Sequence, residues 1–151
     1  MFERIIVPLD GSKLSAEAIP YAIEVGKRFD SEIIVVRVIL PDESSIVSQA
    51  KNMEDNAGMK DVDNVFNVKR YLMNWAQSLK TQGVKVSYEV TIGTPAKAIV
   101  ELAQAQQASL IVMMSHGRGW FKRAIMGSVA DEILRGSTVP VLIIRAKDGD
   151  A

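Results

Sequence analysis

The sequence predicts one α/β domain built on an open parallel sheet of five strands, with helices on both faces. Two observations carry that prediction. Five runs rich in valine and isoleucine, at 5–9, 33–39, 84–92, 110–114 and 139–144, alternate with longer segments of helical period. Within them, Ile33-Ile34-Val35-Val36 and Leu110-Ile111-Val112-Met113 are nearly continuous in apolar residues, the pattern of strands covered on both sides. A strand followed by a helix, four times over and closed by a last strand, implies parallel neighbours joined by right-handed crossovers. The 151 residues show no linker or internal repeat, so residues 1–151 read as a single domain large enough to bury its own core.

Each element follows from its own residues. After the first strand, Ala16, Ile19, Ala22, Ile23, Gly26 and Phe29 recur at three- and four-residue steps and form the apolar stripe of a helix. Pro20 interrupts the stripe. It removes one backbone donor and crowds the turn before it, which predicts a helix kinked over 16–20. Residues 42–61, polar and dotted with methionine, read as a loop or as the start of the next helix. Val65, Val68, Leu72, Trp75, Ala76 and Leu79 make the second stripe. The third strand alternates, Val84-Lys85-Val86-Ser87-Tyr88-Glu89-Val90, as a strand near a sheet edge does when one face is partly wet.

Thr94-Pro95 predicts a capping hydroxyl ahead of a first-turn proline, and Ala98, Ile99, Leu102 and Ala103 supply the stripe that follows. The fourth helix has its core at 128–134 and ends at Gly136. The last run, Val139-Pro140-Val141-Leu142-Ile143-Ile144, is strongly apolar, yet Pro140 lacks the N–H a central ladder needs, so this strand is expected at an edge. An apolar edge invites pairing, which predicts a homodimer through Val139 and its neighbours to Ile144.

Composition excludes several function classes. Eighteen basic residues balance eighteen acidic ones, so there is no general electrostatic footprint for nucleic acid or for an anionic membrane. With no cysteine, disulfides, thiolate nucleophiles and thiolate metal sites are out, and a single histidine excludes a His-rich zinc site. The apolar run of the first nine residues is far too short for a signal-peptide core or a membrane span, which leads us to expect a cytoplasmic protein.

An open parallel sheet binds ligands beyond the carboxyl ends of its strands, where consecutive connections leave for opposite faces. With strand order 3-2-1-4-5, the first and fourth strands are neighbours. The loops after them, Pro8-Leu9-Asp10-Gly11-Ser12 and Ser115-His116-Gly117-Arg118-Gly119, would share one crevice with the helix start at Gly127-Ser128. Small residues at a helix start let backbone N–H groups approach an anion, and the helix dipole favours phosphate there. Gly127, Ser128 and Val129 answer to that description, with an N-cap as the other role for Ser128. Asp10 reads equally as a strand-end turn former, His116 as a hydrogen-bonded turn residue, Arg118, Lys122 and Arg123 as a solvated face, and Trp120-Phe121 as packing under a loop.

Gly117, nine residues, then Gly127-Ser128, preceded by Met113-Met114-Ser115-His116, resembles the nucleotide motif of the universal stress protein family, Gly-x2-Gly-x9-Gly-Ser/Thr. The opening Ile5-Ile6-Val7-Pro8-Leu9-Asp10-Gly11-Ser12 and the closing Pro140-Val141-Leu142-Ile143-Ile144 resemble that family too, in the expected order, so the likeness covers essentially the whole chain.

The resemblance implies a flavodoxin-like, adenine nucleotide alpha hydrolase-like fold with sheet order 3-2-1-4-5. It also implies a stress-response regulator that binds ATP, or ADP or AMP, with Mg²⁺ held through the phosphates, and that works with a protein partner the sequence does not name. Asp10 would contact the ribose or adenine, Val38 would line the adenine pocket, and Gly117, Gly127, Ser128 and Val129 would hold phosphates. Pro8, Met114 and His116 complete the expected set.

At one position the motif departs, since Met114 stands where its first glycine belongs. That keeps a nucleotide-free interaction module of the same fold as one alternative. A slow ATPase, or a hydrolase using Ser12, His116 and Asp10, is the other. No lysine follows a glycine-rich loop and no clear base stands ready to activate water, so efficient hydrolysis is not implied.

Overall fold

The chain runs β1 (Arg4–Pro8), α1 (Lys13–Ala16), α2 (Ile19–Phe29), β2 (Glu32–Ile39), α3 (Val65–Thr81), β3 (Lys85–Ile92), α4 (Pro95–Ala105), β4 (Leu110–Met114), α5 (Ser128–Gly136) and β5 (Val141–Ile144). This computed structural model describes residues 1–41, 65–116 and 126–147. The five strands form one parallel sheet, as the alternation of strand and helix predicts, in the order β3-β2-β1-β4-β5 that the family resemblance implies. The segment 42–61 lies outside the described residues.

Period-2 alternation sorts the sheet into two cores. Ile5, Val7, Ile33, Val35, Leu110, Val112 and Met114 meet α1, α2 and α3 on one face, through Leu14, Ile19, Leu72 and Leu79. Ile6, Ile34, Val36, Val38, Ile111 and Met113 meet α4 and α5 on the other, through Ile99, Ala103, Ala130 and Ile133. The central strand β1 is sealed from both sides. Ile5, Ile6 and Val7 have no exposed surface, and each such side chain contributes about 1.5–3 kcal/mol on burial. At the edges the pattern loosens. β3 mixes exposed and half-buried residues and has none fully buried, and β5 keeps Leu142 exposed.

Three local expectations change. Pro20 does not kink one helix; two helices stand here, parted at Glu17–Ala18. Glu17 and Ala18 close the short α1 with N–H bonds back to Leu14 and Ser15, and Pro20 takes the second position of α2, where a missing donor costs nothing. Thr94 does sit at the N-cap of α4, but its hydroxyl makes no capping bond. Ser128 is the first helical residue of α5 rather than its N-cap, a position held by Gly127. As expected, α5 ends at Gly136, and Ser137 caps it by donating its N–H to the carbonyl of Ile133 at 2.8 Å. Among the described residues, no helix is long and apolar enough to cross a membrane.

Candidate functional site

The connection from β1 runs outward to β2, whereas β4 returns to the other side of β1, so the sheet reverses direction between β1 and β4. That reversal opens the crevice in which such sheets hold ligands. Three segments border it: the turn after β1, the end of β2, and the exit of β4 with the start of α5.

The turn after β1 is tied together by side chains. The Asp10 carboxylate accepts from the Ser12 N–H at 2.8 Å and from the Ser12 hydroxyl. The Ser12 hydroxyl oxygen accepts from the Ser15 N–H at 3.1 Å, which caps α1, and the Asp10 N–H donates to Ser15 Oγ at 3.2 Å. Gly11 turns the corner with φ of 87°, a left-handed conformation that favours glycine. Asp10 therefore fills its turn role and still lies, half-buried, at the mouth of the crevice.

Pro8, half-buried, is the last residue of β1 and pairs with Val36. The N–H of Leu9 reaches the Val36 carbonyl at 2.8 Å, after which β1 leaves the sheet. Val38, two residues on, turns its backbone to that same side, past the point where β1 has left. Its carbonyl accepts from Arg37 Nη1 at 3.2 Å, and its side chain is buried in the second core. Arg37 itself is buried, on the face of β2 that α3 covers. From α3, Tyr71 faces the same region. Burial pushes its phenol above the ordinary value of 10.0 and the Asp10 charge adds to the rise, while Trp75, Arg37 and Ser15 pull the other way. Neither Trp75 nor Ser15 completes a hydrogen bond to it, and the buried Tyr71 hydroxyl oxygen has no partner among the described residues.

At the exit of β4 the Met114 side chain turns into the first core and is 5% exposed, so it stands clear of the crevice. Ser115 and His116 follow, both buried and bonded Oγ to Nδ1 at 2.9 Å. Gly127 donates its N–H to the Ser115 carbonyl at 2.6 Å. A Cβ on Gly127 would stand 3.1 Å from that carbonyl oxygen and 3.4 Å from the His116 Cα, so glycine is favoured there by tight space and not by its φ of −69°. Ser128 is exposed and Val129 half-buried in the first turn of α5. Gly117, Arg118, Trp120, Phe121, Lys122 and Arg123 lie outside the described residues.

Of the expected residues, Pro8, Asp10, Val38, Met114, His116, Gly127, Ser128 and Val129 all fall at carboxyl strand ends or at the start of α5. The hydrolase arrangement is not assembled as the sequence allowed, because Ser12 bonds Asp10 while the Nδ1 of His116 engages Ser115. Sequence reasoning passed over Arg37, Tyr71 and Ser115. Arg37 had a readable signal, a lone charge inside the apolar run of β2. Among the described residues, no cluster of three or more His, Asp or Glu side chains could hold a metal ion. A separate open cavity of about 430 Å³ lies between the end of β3 and α4, lined by Thr91, Ile92, Lys97 and Glu101, and contains none of the expected residues.

Comparison with known proteins agrees with this layout. Residues 1–145 match the universal stress protein family. The chain is 32% identical to Universal stress protein MJ0531 of Methanocaldococcus jannaschii, over 96% of this chain and 83% of that one. The solved structure of protein MJ0577, from the same organism, superposes with a TM-score of 0.74 at 28% identity, covering 99% of both chains. A universal stress protein solved in complex with cAMP shares the fold, with a TM-score of 0.66 at 22% identity over 95% of this chain and 97% of that one.

Proposed function

The chain belongs to the universal stress protein family, and from that premise we propose that it binds an adenine nucleotide, ATP in the first place and ADP or AMP by the same contacts, in the crevice between β1 and β4. The observation that carries the proposal is the Gly127 turn. There the chain returns tightly against the backbone of Ser115 and His116, and opens directly into the first turn of α5. Backbone N–H groups at a helix start, unobstructed by a Cβ, suit phosphate oxygens, and the dipole of α5 adds to that preference.

In this reading Ser128 and Val129 offer backbone N–H donors to the phosphates, Gly127, whose own N–H is held by the Ser115 carbonyl, shapes the turn that presents them, and Gly117 belongs to the same set. Asp10 contacts the ribose from the opposite wall. Val38 reads the base with backbone N–H and carbonyl groups that face the space β1 has vacated, while Pro8 closes the floor. Mg²⁺ enters with the phosphates. That one relative of this fold is solved with cAMP supports a fold able to seat an adenine nucleotide. The reading of Met114 as an obstacle loses its basis, because its side chain belongs to the core.

The role is that of a regulator whose nucleotide state is read by a partner protein, in the cytoplasm and in response to stress. We also propose a homodimer through β5, where Leu142 stays exposed on an edge strand that follows Pro140. Two measurements test this. Mass spectrometry of the small molecule released from natively purified protein is expected to show an adenine nucleotide, and finding none, together with no response to millimolar ATP, overturns the nucleotide proposal. Light scattering at micromolar protein is expected to show a dimer, and a species of only 16.6 kDa removes the β5 interface.

A further inference from the structure

Ser115 is 1% exposed and joins three segments of chain. Its N–H donates to the Ile144 carbonyl at 2.8 Å, its carbonyl accepts from the Gly127 N–H at 2.6 Å, and its hydroxyl oxygen accepts from the Ala146 N–H at 2.9 Å. The same hydroxyl lies 2.9 Å from His116 Nδ1. Direction follows from counting protons. A serine hydroxyl has one proton to give, and a backbone N–H can only donate. The Ala146 contact therefore uses a lone pair of Oγ, and among the described residues the proton has one acceptor in reach, His116 Nδ1. An Nδ1 that accepts carries no proton, which places the ring proton of His116 at Nε2. The Cδ2 atom, bonded to Nε2, is on the ring edge beside Gly127, 3.7 Å from where a Cβ there would stand.

We infer that Ser115 is a positioning residue of the nucleotide site: it fixes His116 in the Nε2–H tautomer beside the start of α5, and it locks the exit of β5 to the same turn. The inference rests on the nucleotide reading for its functional consequence, though not for the tautomer itself. In that setting an Nε2–H donor edge flanks the helix start, and the turn keeps its shape because Ile144, Ala146 and Gly127 all converge on one buried residue.

His116 is the sole histidine of the chain, so its imidazole nitrogens give an unambiguous ¹⁵N spectrum. In nucleotide-free wild-type protein in neutral buffer, the neutral ring is expected to show the Nε2–H pattern alone. Ser115→Ala is expected to release it into a mixture of tautomers, and Ser115→Thr, which keeps the hydroxyl, to retain it. In ATP titrations Ser115→Ala should weaken binding about tenfold, the size of one lost hydrogen bond at a buried site, with Ser115→Thr recovering most of the loss. An Nδ1–H ring in the wild type, or a Ser115→Ala protein with wild-type tautomer and affinity, overturns the inference. A wild type that binds no ATP sinks the nucleotide reading instead, and the wild-type spectrum still decides the tautomer.

Discussion

The two arms of the crevice hold themselves by different means. After β1 the chain is tied by side chains, with Asp10 accepting twice from Ser12 and Ser15 closing the ring from α1. After β4 it is tied mainly by backbone, Gly127 to Ser115 and Ser115 to Ile144, with the one Ser115 hydroxyl adding Ala146 and His116. Each arm also uses a glycine for a different reason. Gly11 is needed for its left-handed φ of 87°, whereas Gly127 has an ordinary φ and is favoured because a Cβ would meet the Ser115 carbonyl at 3.1 Å. The first arm should lose function by degrees as hydrogen bonds are removed. The second should fail at once when volume is added.

Gly127→Val tests the second arm and carries the largest expected effect. A branched side chain there meets backbone atoms that cannot swing aside, so ATP affinity should fall on the order of a hundredfold or more, read by calorimetric titration. The same clash should lower stability by about 1–3 kcal/mol in urea unfolding, a cost the sequence alone does not reveal. Unchanged affinity would mean the phosphates lie elsewhere and would erase the contrast between the arms.

Next in size is Met114→Gly. The side chain stands clear of the crevice, so ATP affinity should stay within about fivefold of wild type. Because the methionine is packed among core residues, its removal should also cost about 3 kcal/mol of stability. A variant as stable as wild type would show that the side chain does not belong to the core.

Asp10→Ala probes the side-chain arm. Losing the acceptor of both Ser12 bonds should cost about 1 kcal/mol of stability and weaken ATP about tenfold, well short of the effect at Gly127. An effect equal to that of Gly127→Val would show that the first arm is as intolerant as the second.

The smallest effect has the opposite sign. Tyr71→Phe deletes a buried hydroxyl that has no partner among the described residues, so it should raise stability by about 1 kcal/mol at neutral pH. Burial holds the phenol above 10.0 in the folded chain, so its contribution is fully present below pH 10 and is lost as pH rises through the folded-state value. Unfolding measured across that alkaline range should show a decline in the wild type that the Phe variant lacks.

What the sequence disclosed and what it withheld divide along physical lines. Burial leaves a pattern, so the continuous runs of β2 and β4, the alternation of β3 and the proline before β5 were enough to tell covered strands from edges, while the strand order came from the family resemblance. The motif glycine and Asp10 were legible because turn chemistry and a helix start need particular residue types. Hydrogen-bond partners were not legible, since they depend on which segments meet in space. Nothing in Thr94-Pro95 says that the hydroxyl stays unused, and nothing in Ser115-His116 says that the serine meets Ala146 from the far side of β5. The break before Pro20 differs from the expected kink for a related reason, since the proline fits the first turn of a new helix better than the middle of an old one.

The most direct test of the account is a calorimetric titration of ATP into wild-type protein and into Gly127→Val in the same buffer. The account predicts saturable binding near one ATP per chain in the wild type and no measurable heat in the variant. Saturable binding of equal affinity in both proteins, or no binding by the wild type at millimolar ATP, would contradict it.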